Sequence, residues 1–282
     1  MPELTYYVNG RLVPAGQAAL PLNDLGIVRG YGVFDLLRTY GTTPFCLREH
    51  VRRLEYSAQQ VGLALPWSTD ELERIVLDTY AANAIPDAAI RIIVTGGPSE
   101  NYMTPGNRPG LVVMVHPPSP RVQSQYTQGV KVVSTLVGRL FPTVKSLNYM
   151  GAIMAMQEAS KTGAVEAIYL DEQDHVTEGT RTNLFVVRGR RLITPREGIL
   201  KGITRQVVME AAATEFEVVE APIHYRDLAH MGEAFLTSTT KEVLPVVQID
   251  DLEIGEGHPG PVTLRVMALF SETVERMTRT TA

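Results

Sequence analysis

The stretch Lys145-Ser146-Leu147-Asn148-Tyr149 is followed along the chain by Thr177-Glu178-Gly179, by Leu200-Lys201-Gly202-Ile203-Thr204 and by Thr237-Ser238-Thr239-Thr240. In this order, the stretches offer a lysine amine, a carboxylate, a glycine turn that opens a helix, and a hydroxyl-rich turn that ends a strand. Each is a weak signal alone, because a lysine is usually a solvated surface charge and a strand-end glutamate is often exposed. Most glycine turns of this kind only begin a helix. Their order and spacing carry the information.

Together these groups match the chemical needs of pyridoxal 5′-phosphate. An amine can form a Schiff base with its aldehyde, and a carboxylate that faces the ring nitrogen keeps this nitrogen protonated, so that the ring accepts electrons from a substrate carbanion. The two turns can hold a phosphate, one of them at a helix N-terminus where N–H groups and the helix dipole favour an anion. The sequence therefore predicts pyridoxal 5′-phosphate as the cofactor.

Two further motifs, Gly30-Tyr-Gly-Val-Phe-Asp35 and Glu49-His-Val-Arg-Arg-Leu54, complete a resemblance that runs from about residue 5 to residue 275. With the four stretches above, they make the chain resemble the fold-type IV pyridoxal-phosphate aminotransferases, and so many fixed positions in one order form a specific pattern. This family holds D-amino-acid and branched-chain aminotransferases and aminodeoxychorismate lyase. The resemblance implies a homodimer with shared active sites.

The composition agrees with an enzyme of this kind. The 282 residues are 44% hydrophobic and 20% charged, which is enough to bury the cores of two modest domains. The net charge of −5 provides no basic field for nucleic acid. No apolar run reaches membrane-spanning length, Cys46 is the only cysteine, and the six histidines show no metal-ligand spacing. We therefore expect a cytoplasmic protein that uses no metal and binds neither nucleic acid nor a membrane.

The pattern of elements predicts an α/β (α+β) fold with two domains. Residues 1–117 alternate strand and helix patterns and are predicted to form a smaller N-terminal α+β domain, and the proline-rich, aperiodic residues 118–129 an interdomain linker. Residues 130–282 show many short strands with helices around them, near residues 150–161 and 206–215. The resemblance implies that they form a larger, barrel-like cofactor-binding domain, with the cofactor in the cleft between the domains.

The resemblance assigns roles to the motif residues. Lys145 binds the cofactor and then shuttles a proton between the substrate α-carbon and C4′, and Glu178 faces the ring nitrogen. Tyr149 lies near the phenolic oxygen, although a tyrosine that opens a helix is often only packed, and Leu200 backs the ring. The phosphate is held by five residues, which are Arg53, Ile203, Thr204, Ser238 and Thr239.

The choice of Arg53 over Arg52 rests on the family frame His-x-x-Arg-Leu. Periodicity does not decide between them, because both flank the apolar stripe of the predicted helix, and either could be a solvated helix arginine.

The substrate is predicted from how its carboxylate would be held. The turn Thr237–Thr240 resembles that of D-amino-acid enzymes, whereas branched-chain enzymes commonly carry Gly-Thr-Ala there, and Thr240 is predicted to contact the substrate. The loop after Gly97 departs from this pattern, because it lacks the Arg-x-His pair with which the best-known D-amino-acid enzymes bind the carboxylate. A different pair of cations is therefore needed.

Arg29 and Arg91 are the predicted replacement. Arg91 lies within the apolar strand pattern Ile90-Arg-Ile-Ile-Val94, where a charge is costly unless it is paired or faces a cleft. Two guanidinium forks can hold both carboxylate oxygens, and the chain resembles a less common branch of D-amino-acid aminotransferases that use two such arginines. The alternative is that Arg91 pairs with a structural carboxylate on the solvent face of the sheet.

We therefore predict transamination between a D-amino acid, such as D-alanine or D-glutamate, and a 2-oxo acid such as 2-oxoglutarate. An L-branched-chain aminotransferase is the alternative. Aminodeoxychorismate lyase is disfavoured by the sequence Leu147-Asn148-Tyr149 and by the absence of a matching arginine in the Gly97 loop.

Overall fold

The computed structural model describes residues 3–279, which form two compact units. The N-terminal unit contains residues 3–119 and 144–148, and the C-terminal unit contains residues 120–143 and 149–279. The predicted domains 1–117 and 130–282 include residues 1–2 and 280–282, which lie outside the described residues. The predicted domain limits remain a proposal, because the two units are defined by internal contacts, whereas a domain must also be able to fold independently.

The N-terminal unit is a six-stranded sheet with three helices, and its strand order is β2-β1-β6-β5-β3-β4. The elements are β1 (Thr5–Val8), β2 (Arg11–Pro14), α1 (Leu25–Arg29), β3 (Gly32–Tyr40), β4 (Thr43–Pro44), α2 (Leu47–Gln60), α3 (Thr69–Ala81), β5 (Ala89–Thr95) and β6 (Gly110–His116).

Helix α2 buries the side that its sequence periodicity predicts. Val51, Leu54 and Ala58 recur every three or four residues and are fully buried in the core of the N-terminal unit. Helix α3 begins with a capping box between Ser68 and Glu71. These local signals explain why both helices were predictable and why each covers the sheet.

The C-terminal unit is built on a ten-stranded sheet with four helices. The elements are α4 (Gln123–Thr127), β7 (Val130–Thr135), α5 (Met150–Lys161), β8 (Glu166–Leu170), β9 (His175–Gly179), β10 (Asn183–Arg188), β11 (Arg191–Thr194), α6 (Ile203–Ala212), β12 (Glu217–Glu220), β13 (Ile223–His224), β14 (Glu233–Ser238), β15 (Glu242–Ile249), β16 (Leu252–Glu253) and α7 (Pro261–Arg279).

Six of these strands close on themselves. The order is β10-β14-β15-β7-β8-β9, and β9 pairs again with β10 through Glu178 and Asn183. The apolar interior includes Ile168, Leu184, Leu236 and further buried residues of the same strands. The predicted barrel-like fold of the C-terminal part is thus confirmed, and the closing pair contains a predicted site residue.

Some predicted elements differ in their limits. Helix α6 begins at Ile203 rather than at Gln206, because Gly202 provides the extended residue from which the helix starts. The predicted linker contains the short helix α4. Helix α7 was not predicted at all, although its residues Val266, Leu269 and Phe270 are apolar at helical spacing and are buried.

Candidate active site

The predicted lysine is held by the N-terminal unit. The carbonyl oxygen of Lys145 accepts a hydrogen bond from the Phe34 amide at 2.9 Å, and the Leu147 amide donates to the Gly32 carbonyl at 2.9 Å. The Lys145 amide donates to the buried hydroxyl of Ser57 on α2 at 3.1 Å. Gly32 permits this close approach, since a Cβ there would lie 2.7 Å from the Leu147 side chain. The backbone around Lys145 is therefore fixed by β3 and α2.

Lys145 and Arg91 contact the same aromatic ring. The ammonium nitrogen of Lys145 lies 4.8 Å from the centroid of Phe34, and the guanidinium carbon of Arg91 lies 5.2 Å from it. The Phe34 side chain is buried. Within residues 3–279, Arg91 forms no salt bridge, so the alternative in which it pairs with a structural carboxylate is not observed. A cation that could bind a carboxylate and the lysine amine thus contact the same ring.

Arg53 is anchored to a buried carboxylate. Asp35 on β3 is fully buried, and Arg53 donates to it from Nε at 2.9 Å and from Nη2 at 2.8 Å. His50, one turn earlier on α2, lies 2.7 Å from the same carboxylate through Nδ1. Arg52, in contrast, is exposed. The helix therefore presents Arg53 and not Arg52 to the interior, which is the choice that periodicity left open.

The charges of this cluster support one another. Burial opposes ionisation of Asp35, but Arg53 and His50 together outweigh it and hold the pKa of this carboxyl well below its usual range. Burial lowers the pKa of His50 below its ordinary value, against the opposing effect of the Asp35 carboxylate. The ionised Asp35 carboxylate, which His50 also contacts, therefore orients the Arg53 guanidinium.

Arg29 lies at the end of α1, and its side chain is exposed. Its guanidinium donates to the carbonyl of its neighbour Val28 at 3.0 Å. In the described part of the chain, it makes no hydrogen bond or ion pair with another side chain. The structure therefore shows no contact within this chain that joins Arg29 to the site around Lys145 and Arg91.

In the C-terminal unit, Glu178 is buried, and both oxygens of its carboxylate accept hydrogen bonds. Arg139 donates to Oε1 at 2.7 Å, and Oε2 accepts hydrogen bonds from the Leu200 amide at 3.0 Å and from the Asn183 side chain at 3.2 Å. The Asn183 amide also donates to the Leu200 carbonyl at 2.9 Å. The backbone of Leu200, which was predicted to back the cofactor ring, thus helps to orient the carboxylate.

Tyr149 immediately precedes α5 and is half-buried. Burial raises the pKa of the nearby Tyr169 phenol to about 12; Arg139 opposes this shift, whereas Glu178 and Tyr149 add to it. These four side chains therefore share one environment within the C-terminal unit.

The two predicted phosphate turns also lie in the C-terminal unit. Ile203 is the first residue of α6, and no side chain within residues 3–279 caps this helix end. Thr204 is buried next to it. In the other turn, Ser238 accepts a hydrogen bond from the Lys241 amide at 3.2 Å, Thr239 is half-buried and Thr240 is exposed. The hydroxyl of Thr237 is buried and has no hydrogen-bond partner among the described residues.

Sequence reasoning missed Asp35, Arg139 and Asn183 as site residues. Asp35 carried a usable signal, because a charged residue inside an apolar strand is costly unless it is paired. Arg139 and Asn183 carried none, since Arg139 lies in a loop without periodicity and Asn183 opens an ordinary strand pattern.

Residues 3–279 contain neither a membrane-spanning helix nor a metal-binding cluster of the kinds described next. None of the helices in this range is both long and apolar enough to span a membrane. No group of three or more histidine, cysteine or acidic side chains in this range is arranged to hold a metal ion.

Comparison with known proteins shows the family to which this chain is similar. The sequence profile of the amino-transferase class IV family matches residues 32–249. The chain is 35% identical over 276 residues to a putative branched-chain-amino-acid aminotransferase of Methanocaldococcus jannaschii, covering 94% of this chain and 95% of that protein. It is 33% identical over 275 residues to the D-alanine aminotransferase of Listeria monocytogenes serotype 4b, covering 95% of each.

A solved structure is similar as well. The branched-chain amino acid aminotransferase of Thermobaculum terrenum, in its form with bound pyridoxal 5′-phosphate, superimposes with a TM-score of 0.86 at 28% identity, covering 96% of this chain and 94% of that one. The chain therefore belongs to the class IV aminotransferases, whose fold type it shares. Enzymes of this class depend on pyridoxal 5′-phosphate and exchange an amino group between an amino acid and an oxo acid.

The residues of this chain fit that cofactor. The C-terminal unit supplies a buried, oriented carboxylate in Glu178, a helix N-terminus at Ile203 and an unpartnered buried hydroxyl on Thr237 among its described residues. The N-terminal unit supplies an amine on Lys145 that rests against an aromatic ring. These are the groups that an aldehyde, a ring nitrogen and a phosphate require.

Proposed function

We propose that this chain transfers the amino group of a D-amino acid, such as D-alanine or D-glutamate, to a 2-oxo acid such as 2-oxoglutarate, in two ping-pong half-reactions. The observation that carries the proposal is the shared contact of Lys145 and Arg91 with Phe34. Arg91 contacts the same ring as the reacting amine, and its guanidinium can replace the cations of the missing Arg-x-His pair.

Within this proposal, Lys145 binds the cofactor and moves the proton between the substrate α-carbon and C4′. The bound cofactor supplies a ring that accepts the electron pair left at the α-carbon. Glu178 holds the proton on the ring nitrogen, and the hydrogen bonds from Arg139, Asn183 and the Leu200 amide support its orientation. Leu200 would back the ring, and Tyr149 would lie near its phenolic oxygen.

The phosphate is proposed to bind to the N-terminus of α6 and to the turn after β14. The helix end offers the amides of Ile203 and Thr204, and the turn offers the hydroxyls of Ser238 and Thr239. Arg53 adds a positive charge from the N-terminal unit, and the fork that it forms on Asp35 supports its orientation.

The substrate carboxylate is proposed to bind to Arg91, and Thr240 is proposed to contact the substrate. Arg29 is the second guanidinium of this pair, and we place it in the site of the neighbouring subunit of a homodimer. The exposed position of Arg29 at the end of α1 supports this assignment, because an exposed side chain can reach another subunit.

An L-branched-chain aminotransferase is the second candidate. A specific observation favours it, namely that the first relative named above and the similar solved structure are branched-chain enzymes by description. The D-alanine aminotransferase of Listeria monocytogenes, at nearly the same identity as that first relative, favours the first candidate.

One experiment separates the candidates. The purified protein is incubated with pyridoxal 5′-phosphate, and D-alanine, L-leucine, L-isoleucine and aminodeoxychorismate are supplied in parallel with 2-oxoglutarate as the acceptor. D-glutamate is supplied with pyruvate instead, because its transfer to 2-oxoglutarate would only regenerate the same two compounds. We expect transamination of the D-amino acids to be much faster than that of the L-amino acids. Faster reaction with L-leucine or L-isoleucine than with every D-amino acid would replace the proposal with the second candidate, and cleavage of aminodeoxychorismate would indicate the lyase.

A further inference from the structure

Glu166 is a fully buried carboxylate that has no role in the chemistry proposed above. It is the first residue of β8, and its Oε2 accepts a hydrogen bond from the Lys241 ammonium at 3.1 Å. Its Oε1 accepts a hydrogen bond from the Thr180 hydroxyl. The guanidinium of Arg181, which is half-exposed, lies 3.6 Å from Oε2. A buried charge of this kind is costly unless it is paired, so the contacts of Glu166 are strongly constrained.

Lys241 belongs to the turn that is proposed to hold the phosphate. It follows Thr240 directly, and its amide donates to the Ser238 hydroxyl at 3.2 Å. Its carbonyl accepts a hydrogen bond from Tyr126 at 3.0 Å, and its side chain is largely buried. Burial lowers the pKa of the Lys241 ammonium, and the Glu166 carboxylate opposes this shift. The lysine thus holds the turn through its backbone and points its charge inward.

On its other side, Glu166 holds the turn that follows Glu178. Thr180 lies two residues after Glu178, and its amide donates to the Ala167 carbonyl at 2.9 Å. Gly179 packs against the Glu166 side chain so closely that a Cβ would lie 3.2 Å from Cγ. The carboxylate of Glu166 therefore connects the strand end that carries the ring-nitrogen carboxylate with the turn that carries Ser238 and Thr239.

We propose that Glu166 and Lys241 form a positioning pair that sets how tightly the enzyme holds the phosphate of its cofactor. The pair touches neither the cofactor nor the substrate in this proposal. It acts through Ser238 and Thr239, and it rests on the proposed phosphate role of that turn.

The physical reason is the asymmetry of buried ion pairs. Removal of Lys241 leaves the Glu166 carboxylate buried beside Thr180 and one half-exposed arginine, and the turn must move or admit water to compensate. Removal of the Glu166 charge leaves the Lys241 ammonium buried without its anion, which pulls the turn towards water. In both cases, the hydroxyls of the turn lose the fixed position that a multidentate anion site needs.

The test compares the binding of pyridoxal 5′-phosphate with that of pyridoxal, which lacks the phosphate, to the cofactor-free protein. For Lys241→Met and for Glu166→Gln, we expect the affinity for pyridoxal 5′-phosphate to fall about tenfold or more. The affinity for pyridoxal should stay unchanged, because the contact of its aldehyde with the Lys145 amine and that of its ring with Glu178 do not depend on the turn. Lys241→Arg should still bind pyridoxal 5′-phosphate more tightly than pyridoxal. The phosphorus-31 resonance of the bound cofactor should shift only in the variants whose affinity for pyridoxal 5′-phosphate falls.

The double variant Glu166→Gln with Lys241→Met should lose no more affinity than either single variant, because the two side chains act as one unit. It also removes both buried charges, so it keeps the test informative if a single variant fails to fold. Lys161→Met, which removes an exposed lysine from α5, is the matched control and should leave both affinities unchanged.

Equal losses for pyridoxal and pyridoxal 5′-phosphate would overturn the inference, since they would indicate general destabilisation. Unchanged or tighter phosphate binding by Glu166→Gln would also overturn it, because Lys241 would then act on the phosphate directly. Ser238→Ala separates this failure from that of the proposed function. If Ser238→Ala does not weaken phosphate binding, the proposed phosphate turn is wrong, whereas a loss with Ser238→Ala but none with Lys241→Met refutes only the positioning pair.

Discussion

The guanidinium of Arg139 lies 2.7 Å from one carboxylate oxygen of Glu178, while the Leu200 amide and the Asn183 side chain donate to the other oxygen. Charge-assisted hydrogen bonds of this type are stronger than neutral ones and restrict both oxygens of the acceptor. Glu178 is thus held in one orientation by a loop residue, a strand residue and the backbone before α6.

The role of Glu178 can be tested by removing its charge without changing its shape. In Glu178→Gln, the ring nitrogen would lose the anion that holds its proton, and we expect the barrier to α-proton removal to rise by several kcal/mol, at about 1.4 kcal/mol per tenfold loss in rate. Single-turnover kinetics measures this barrier. Glu172→Gln, at an exposed position, is the control, and near-native turnover of Glu178→Gln would exclude the ring-nitrogen role.

Lys145 is expected to be the residue to which the cofactor attaches. Borohydride reduction of the cofactor-loaded protein should fix the cofactor to Lys145, because its amine is the one proposed to attack the aldehyde. Peptide mass spectrometry identifies the adduct. Lys145→Ala should still bind the cofactor through the phosphate site but should not turn over, while Lys161→Ala should behave as wild type. An adduct on Lys201 or Lys161 would contradict the assignment.

The buried His50 predicts a loss of stability in mild acid. Because burial lowers the pKa of His50 in the folded chain, the unfolded chain takes up this proton at a higher pH than the folded one. The contribution of His50 is therefore complete above its unfolded pKa of about 6.5 and declines as the pH falls below that value. Asp35, whose pKa is also lowered, contributes fully above about pH 4 and loses its contribution below it.

Urea unfolding of the cofactor-free protein at pH 7.5 and pH 5.5 measures this effect. His50→Asn keeps a donor for Asp35 but removes the titrating ring, so its free energy of unfolding should change less over this range than that of the wild type. His258→Asn, at an exposed position, should keep the wild-type dependence. An equal dependence in all three proteins would mean that His50 is not responsible.

Arg91 is expected to act on substrate binding and not on cofactor binding. Arg91→Ala should lower the efficiency of the half-reaction with D-alanine about ten- to hundredfold, which corresponds to the loss of a charged hydrogen bond of roughly 1.5–3 kcal/mol. Arg91→Lys should lose less, because it retains a charge. Arg52→Ala, on the exposed side of α2, is the control. Weakened cofactor binding in Arg91→Ala with unchanged substrate kinetics would refute this role.

The placement of Arg29 in the neighbouring subunit can be tested with hybrid dimers. Lys145→Ala and Arg29→Ala subunits should each be inactive alone, whereas a mixed dimer contains one site with both residues intact. We expect activity to return after subunit exchange, which differently tagged subunits make measurable. If exchange is confirmed and the mixture stays inactive, Arg29 acts in its own subunit or in no site.

Much of the fold was predictable because its signals are local. Helix α5 was predicted with its observed limits, and α2 was predicted at 48–61 and observed at Leu47–Gln60, since apolar spacing is read from residues that are close in sequence. The barrel as a whole was beyond such reasoning, because pairings such as that of Val130 on β7 with Val246 on β15 join strands that are far apart in the sequence.

The candidate site divides in the same way. The motif residues were identified from their order, and Arg53 was distinguished from Arg52 by the family frame alone. In the structure, Arg53 turns inward because it binds the buried carboxylate of Asp35 on β3. The periodicity of a helix does not reveal such a partner on a strand. Arg139 was not predictable either, since a loop arginine becomes a site residue only through its partner in space.

The attachment of Lys145 to β3 and α2 links cofactor capture to the completion of folding. The backbone of Lys145 is bonded to Phe34 and to Ser57, which lies 88 residues earlier in the chain and is therefore synthesised well before it. Contacts between such distant segments form late, because the closure of long loops must precede them. In a nascent or truncated chain that contains Lys145 but lacks these contacts, the position of its amine would not be fixed. Stable attachment of the cofactor to Lys145 would therefore indicate that the early and late segments of the N-terminal unit have paired.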